Sequence, residues 1–502
     1  MKHKIKSHII IIFGASGDLS KRKLIPAIYS LFKQNLLSKR QLILGAGRSH
    51  IPDEVYRQGT YDFLIEENPD EASEIKDFCK HLFYQTLDTS DEAEYVKIKD
   101  RLSVLKKEFD IDANYLFYLS TPPSLYYKIP EALAKVGLNN REDGFKRLII
   151  EKPFGNDEDS ARDLNKHLLK YYREKQLFRI DHYFGKETVQ NLLVFRFANA
   201  IFEPLWNSNH IENIQIFANE RIGIEDRGGY YDHAGAIKDM VQNHLLQLLC
   251  ITAMEPPANM DSYSIRNETL KVLQSTRIYK TDEEMNENVV IGQYLGGEGE
   301  NSYREENNVD RQSHTETYAA IRFYIDNWRW HDVPFYIRTG KRLEKRVSEV
   351  VINFKSTPHP FFSKMQKKEH YKNQLVIRIQ PDEGIKLTFA AKEPGTGFKT
   401  HQMDMSFFYS DFANKQIPPA YERLILDALL GDNTLFSRND SVEACWSIVD
   451  PIINYVSNNA AERLHFYESG SHGPKAADRL LAKSGHKWRN PKFAFDPKPK
   501  CK

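Results

Sequence analysis

The stretch IIIIFGASGDLSKRKLIPAIYSLF, residues 9–32, decides how the first part of the chain folds. Ile9 to Phe13 form a β-branched, wholly apolar run, the composition of a strand buried on both faces. A glycine turn follows at Gly14 and Gly17, and then the helical pattern KLIPAIYSLFKQN. A strand, a glycine turn and a helix in this order place an anion site at the helix N-terminus, at the C-terminal edge of a parallel sheet. The turn is not the GxGxxG fingerprint: its glycines are three apart, and Leu19 falls where a third glycine would stand. Lys21, Arg22 and Lys23 stand where acidic side chains are favoured, each opposing the helix dipole by a few tenths to ~1 kcal/mol. A bound phosphate offsets that cost.

Working outward, short apolar runs alternate with helical patterns up to about residue 185: 8–13, 41–47, 114–120 and 147–155. This alternation predicts a parallel sheet with crossover helices, a Rossmann-like nucleotide-binding domain over residues 1–185. The second run, QLILGAG, leads into Gly47-Arg48. NAD sites end this strand with Asp or Glu to bind the ribose hydroxyls. A guanidinium here instead favours the additional phosphate of NADP, by charge and by bidentate geometry. The competing reading of Arg48 is a solvated surface side chain.

Beyond about residue 190 the pattern becomes period two. HIENIQIFANE, TETYAAIRFYIDNWRW, SEVVINFK and NQLVIRIQPDEGIKLTF follow one another with few helical intervals. They predict a large, mainly antiparallel sheet in a second domain, 186–490. GAIKDMVQNHLLQLLC (235–250) and AYERLILDALLG (420–431) read as helices covering its other face. Residues 296–314 read as a surface loop, and the Lys- and Pro-rich segment 491–502 as a loose tail.

The chain of 502 residues accommodates two or three domains, and 41% hydrophobic with 28% charged residues is an ordinary globular balance. A net charge of +1 gives no electrostatic footing for nucleic acid or an acidic membrane surface. Cys79, Cys250, Cys445 and Cys501 are widely separated, which reads as a reduced, cytoplasmic protein without a disulfide framework. No metal-ligand spacing appears. The apolar run behind the basic start MKHKIK ends after six residues, too short for a signal peptide core or a membrane span.

Two stretches concentrate chemistry. In FRIDHYFGKET (178–188), a helical conformation would put His182 and Lys186 on one face, able to grip one phosphate; the bland reading is a polar helix start. In the 235–250 helix, Ile237, Met240, Val241, Leu245 and Leu248 form an apolar stripe that includes His244. Such a histidine is either a core residue or a base in dry surroundings. On an ideal α-helix Asp239 projects ~140° away from it.

The segments G14-A-S-G-D-L-S-K-R-K, E151-K-P-F-G, R179-I-D-H-Y-F-G-K-E, D239-M-V-Q-N-H, V333-P-F-Y-I-R-T-G-K, R378-I-Q-P-D-E-G and A420-Y-E-R-L-I-L-D together resemble the glucose 6-phosphate dehydrogenase family. The resemblance runs from about residue 8 to beyond 430, in order. It implies oxidation of glucose 6-phosphate to the 6-phosphogluconolactone with NADP as hydride acceptor, by a homodimer or homotetramer. By the same resemblance His244 is the general base, and Asp181 hydrogen-bonds it and fixes its tautomer. His182, Tyr183 and Lys186 hold the sugar phosphate. Glu220, Asp239 and Lys341 hold sugar hydroxyls, with Gln380 nearby and Arg346 at a position where relatives carry Lys or Arg. Gly14, Ala15, Ser16, Gly17, Asp18, Leu19, Lys23, Arg48 and Tyr126 bind the cofactor. Lys152 lies between cofactor and sugar, after a turn whose Lys152–Pro153 peptide is expected to be cis. Two alternatives stand beside this reading: another NADP-dependent sugar oxidoreductase sharing the EKP motif, and a nucleotide-binding regulator without catalysis.

Overall fold

The computed structural model describes residues 5–297, 299–359, 372–411 and 419–490; the expected tail, 491–502, lies outside them. The chain forms two compact units. The first gathers Met1–Lys186, Asn259–Arg266 and Ile417–Glu443, and the second Glu187–Ala258, Asn267–Gln416 and Ala444–Lys502.

In the first unit, six strands alternate with helices: β1 (His8–Phe13), β2 (Gln41–Gly47), β3 (Leu82–Thr86), β4 (Tyr115–Leu119), β5 (Lys146–Ile150) and β6 (Leu177–Ile180). They pair in parallel in the order 3-2-1-4-5-6, the doubly wound arrangement of dinucleotide-binding domains. All six residues of β1 are buried, as the apolar run predicts. The strand order reverses between β1 and β4, so the crevice for a ligand opens where Gly14 and Ser120 leave the sheet. Two strands, β3 and β6, are short and were not evident as apolar runs. The fourth run ends as a strand at Ile150; Glu151 to Gly155 form a turn in which the Lys152–Pro153 peptide is cis.

A seventh strand, Phe436–Ser437, pairs antiparallel with β6. The helix Ala420–Leu430 comes with it and packs against the helix Ile25–Lys33 in the first unit. This corrects the expectation that it covers the large sheet. Amphipathic spacing shows that a helix needs a partner but does not say which one. Here the partner includes Arg147, whose Nη1 donates to the carbonyls of Ala428 at 2.8 Å and Leu429 at 2.5 Å. These are carbonyls at a helix C-terminus, where a cation is favoured.

The second unit holds a nine-stranded sheet: β7 (Ile211–Asn219), β8 (Val289–Tyr294), β9 (Tyr318–Phe323), β10 (Phe335–Gly340), β11 (Val347–Phe354), β12 (Gln374–Gln380), β13 (Gly384–Lys392), β14 (Thr400–Phe408) and β16 (Leu464–Tyr467). Its order is 14-13-12-11-7-10-9-8-16, with Phe436–Ser437 counted as β15. The sheet is mainly antiparallel; β7–β10 and β8–β16 are parallel pairs. All six residues of β10 are buried, and its sequence FYIRTG does not alternate apolar with polar residues. One side of the sheet packs Phe217, Tyr336, Val351 and Val376 with Leu480, Leu481 and Trp488. Within 296–314, Tyr303 is fully buried, so that loop is anchored by its middle.

The Arg147 contacts are testable. Arg147→Met should destabilise the protein by about 1.5–3 kcal/mol, the value of hydrogen bonds from a charged donor. Thermal denaturation monitored by tryptophan fluorescence and limited proteolysis near residue 420 would register it; an unchanged melting temperature would show that the helix is held by its apolar face alone.

Candidate active site

At the crevice of the first unit, Gly14 adopts φ +80°, and a Cβ there would stand 2.1 Å from the Ser120 carbonyl oxygen. Only glycine lets the chain leave β1 and turn so tightly beside the end of β4. Gly17 N–H closes the turn on the Gly14 carbonyl at 2.9 Å. Ala15 is buried beneath the turn, Ser16, Gly17 and Asp18 are exposed, and Leu19 is half-buried. The helix then begins as a π-helix, Ser20–Leu24, with Lys21, Arg22 and Lys23 all exposed. Arg22 pairs with Asp18 at 2.6 Å, which removes part of the charge conflict at this helix start. Arg48 is exposed immediately after β2. Lys152 is half-buried next to Glu151, whose carboxyl accepts from the Tyr118 hydroxyl at 2.5 Å. Burial holds the Glu151 carboxyl above the ordinary carboxylate range. Tyr126 is buried and close enough to Glu151 for that carboxylate, together with burial, to push its phenol up.

The segment Asp181–Lys186 is not helical. β6 ends at Ile180, and the helix begins at Glu187. In between, Asp181 Oδ1 accepts from the Tyr183 N–H at 2.9 Å, its carbonyl from the Phe184 N–H at 3.1 Å, and the Tyr183 carbonyl from the Lys186 N–H at 3.1 Å. An Asp whose side chain binds the N–H two residues on makes a turn and competes with helix. His182 and Lys186 therefore do not share a helical face. They are arranged instead around the buried Tyr183: the Lys186 Nζ lies 4.0 Å from its ring centroid, and the His182 ring 5.2 Å away.

In the second unit the parallel register of β7 and β10 sets Gly340 opposite Asn219. The residue that follows each strand, Lys341 after β10 and Glu220 after β7, belongs to an ion pair between the two. Lys341 is fixed from several sides. Its N–H donates to the Thr317 carbonyl at 2.9 Å, its carbonyl accepts from the Tyr467 hydroxyl at 2.8 Å, and its Nζ lies 5.3 Å from the Tyr231 ring centroid. The segment Ile237–Leu245 packs against both strands as a π-helix, closed by a Leu246 N–H to Val241 carbonyl bond. Its five-residue hydrogen bonding changes the predicted wheel: residues five apart stand on successive turns of the same face. Asp239 and His244 are therefore neighbours along one face, and the expected ~140° separation does not apply. Both are buried, His244 to 1% exposure. Tyr230, whose hydroxyl lies 3.4 Å from Asp239 Oδ1, joins this group without any sequence signal. Gln380 ends β12 and donates to the Ser348 hydroxyl at 3.1 Å, while Arg346 is exposed.

Two family models match the chain: the NAD binding domain of glucose-6-phosphate dehydrogenase over residues 11–191 and the C-terminal domain of the same enzyme over residues 193–489. The glucose-6-phosphate 1-dehydrogenase of Aggregatibacter actinomycetemcomitans is 50% identical over 492 residues, 97% of this chain and 98% of the relative. That of Bacillus subtilis (strain 168) is 42% identical over 488 residues, 96% and 98% of the two chains. A solved glucose-6-phosphate dehydrogenase in complex with its substrate glucose-6-phosphate superposes with a TM-score of 0.89 at 36% identity, covering 97% of this chain and 99% of that one. With both of its domain models matched and its length shared with these relatives, the chain belongs to the glucose-6-phosphate dehydrogenase family.

Proposed function

We propose that this protein oxidises C1 of glucose 6-phosphate to the 6-phosphogluconolactone, with NADP as hydride acceptor. The observation that carries the chemistry is a buried histidine and a buried carboxylate on successive turns of one π-helix, packed against the strands that end in the Glu220–Lys341 pair. Oxidation of the hemiacetal removes one proton and one hydride from the same carbon–oxygen unit. Bound NADP supplies the hydride acceptor. A ring nitrogen of His244 takes the proton from the C1 hydroxyl, and Asp181 fixes the tautomer and stabilises the cation that forms. Glu220, Asp239 and Lys341 orient the sugar hydroxyls, with Gln380 and Arg346 beside them. His182, Tyr183, Lys186 and Lys152 hold the phosphate end and the approach to the cofactor.

A turn that only glycine can make at Gly14, open at Ser16 and Gly17 and followed by three exposed cations, suits a dinucleotide pyrophosphate. Arg48 after β2 supports NADP over NAD. The working form is a cytoplasmic homodimer or homotetramer. The edge strand β14 with exposed Met403 and Met405 supports self-association, and sedimentation velocity measures it. The assay that tests the whole reading is appearance of reduced cofactor with glucose 6-phosphate and NADP, repeated with NAD and with other sugar phosphates. The other sugar oxidoreductases would show a different substrate order, and a silent regulator no turnover at all.

Three substitutions separate the roles. Arg48→Ala loses a charge-assisted contact of ~1.5–3 kcal/mol, a roughly ten- to hundredfold rise in KM for NADP with NAD little changed; equal losses with both cofactors would make Arg48 a fold residue. His244→Asn should bind glucose 6-phosphate normally yet lose at least ~10²-fold in kcat, with Asp181→Asn also reducing kcat. In the wild type the rate should fall toward acid as the imidazole becomes protonated. Near-normal turnover in His244→Asn would return that histidine to the core. Lys186→Ala should act mainly on KM for glucose 6-phosphate, because a phosphate grip serves ground and transition states alike.

A further inference from the structure

We infer that Glu316 is a positioning residue for this reaction, holding the first turn of the π-helix so that Asp239 and His244 keep their places. The inference rests on the role proposed for that helix. Gly235 precedes it with φ +63°, a break that separates the helix Gly228–Ala236 from the π-helical turns. A Cβ on Gly235 would stand 2.4 Å from Glu316 Oε1, so the carboxyl group packs directly onto the bare backbone. From there it reaches the helix start twice. The Ala236 N–H donates to the Glu316 carbonyl at 3.0 Å, and the Ile237 N–H to Glu316 Oε1 at 3.0 Å. Helix-start N–H groups lack intrahelical acceptors and favour negative charge, and here a residue 79 positions away in sequence supplies both acceptors.

Glu316 also bears on the other half of the sugar-binding group. Its neighbour Thr317 accepts from the Lys341 N–H at 2.9 Å. One dipeptide thus fixes the backbone of Lys341 and the start of the helix carrying Asp239 and His244. A shift at this point moves the sugar-orienting groups relative to one another, and a displacement of about 1 Å can cost about a hundredfold in rate.

Glu316 is 8% exposed. Burial pushes its carboxyl group up to about 7, against the lowering effects of the Ile237 N–H, its own backbone N–H and Lys238. A cavity of about 250 Å³ reaches it, lined by Asp232, His233, Lys238 and His314, with only uncharged residues contributed by the helix that ends at Arg463. The phenols of Tyr231 and Tyr303, raised first by their own burial, also lie near enough to feel the charge of the carboxyl group. A carboxyl group with a raised folded value stabilises the fold below its unfolded value, and that contribution is lost as pH rises through the folded value.

The test uses the full chain with Glu316→Gln and Glu316→Ala. Glutamine keeps the acceptor and removes the titration; alanine removes both. Glu316→Ala should lower kcat about ten- to hundredfold, leave KM for NADP unchanged, and speed hydrogen exchange at the Ala236 and Ile237 amides. Glu316→Gln should restore kcat to within about threefold and restore slow exchange. Its melting temperature should gain on the wild type as pH rises from about 5 to about 8. Wild-type kcat in Glu316→Ala, or equal damage in both variants with KM for NADP raised, would overturn the inference. So would failure of Glu316→Gln to fold. Exchange at the two amides is read without turnover, so a failed role for His244 would appear in its own variant and leave this test intact.

Discussion

The proposed sugar-binding group depends on one pairing, the parallel alignment of β7 and β10 inside a sheet whose neighbouring pairs are antiparallel. Antiparallel neighbours leave the sheet at opposite edges. Parallel neighbours leave together, so Glu220 and Lys341 emerge side by side and pair as they do. A slip of one residue in this register would turn each side chain to the other face. All six residues of β10, Arg338 and Thr339 among them, are buried, so a slip would exchange the buried surroundings of every one. Strand register, set by burial, thus fixes the geometry of a charged pair.

The π-helix adds the second constraint. An α-helix would carry Asp239 and His244 on different sides, and only one could address the group formed by Glu220 and Lys341. Widening the helix to i→i+5 bonding aligns them at the expense of ordinary helix geometry. That expense is absorbed by neighbours: Leu246 closes the last turn on Val241, and Glu316 accepts from the first. Widened turns also open the Lys21–Lys23 segment of the first unit, beside the glycine turn. In both units a helix departs from α-geometry beside residues proposed to bind ligand.

Much of this was legible in the sequence, and the limits have physical causes. The wholly apolar β1, the glycine turn and the alternation of runs and helices carried the parallel, crossover character of the first sheet, because local composition and connection rules bear on it, but not its strand order or the short strands β3 and β6. Period two disclosed β7, β9 and β11 to β13. It did not disclose β10, whose sequence FYIRTG runs from apolar to polar without alternating, nor the pairing of Phe436–Ser437 with β6, a contact between residues more than 250 apart. The motif residues were visible one by one, but their arrangement was not. Asp181 turns the chain by binding the Tyr183 N–H, where helical spacing had predicted a shared face for His182 and Lys186. The 235–250 segment has helical periodicity, and periodicity alone does not separate α from π when the stabilising partner, Glu316, lies far along the chain.

The two units treat charge in opposite ways, and the contrast fits the ligands proposed for each. Around the glycine turn the cations are exposed, and Arg22 is paired with a solvated Asp18, so water screens their cost and leaves them accessible to the proposed multiply charged phosphate. Around Lys341 the ion pair is largely withdrawn from water: the Lys341 side chain is buried and Glu220 is half-buried. A buried ion pair gains little net stability, since desolvation offsets attraction, but losing either partner leaves an uncompensated charge. Glu220 and Lys341 therefore hold each other in place before any ligand arrives. Sugar hydroxyls are weak, neutral ligands with little long-range attraction. They are distinguished by donors and acceptors already fixed in position, because reorganising those groups at the moment of binding would consume the small energy each hydroxyl provides. Exposure suits capture of an anion at distance; burial suits discrimination among hydroxyls at contact.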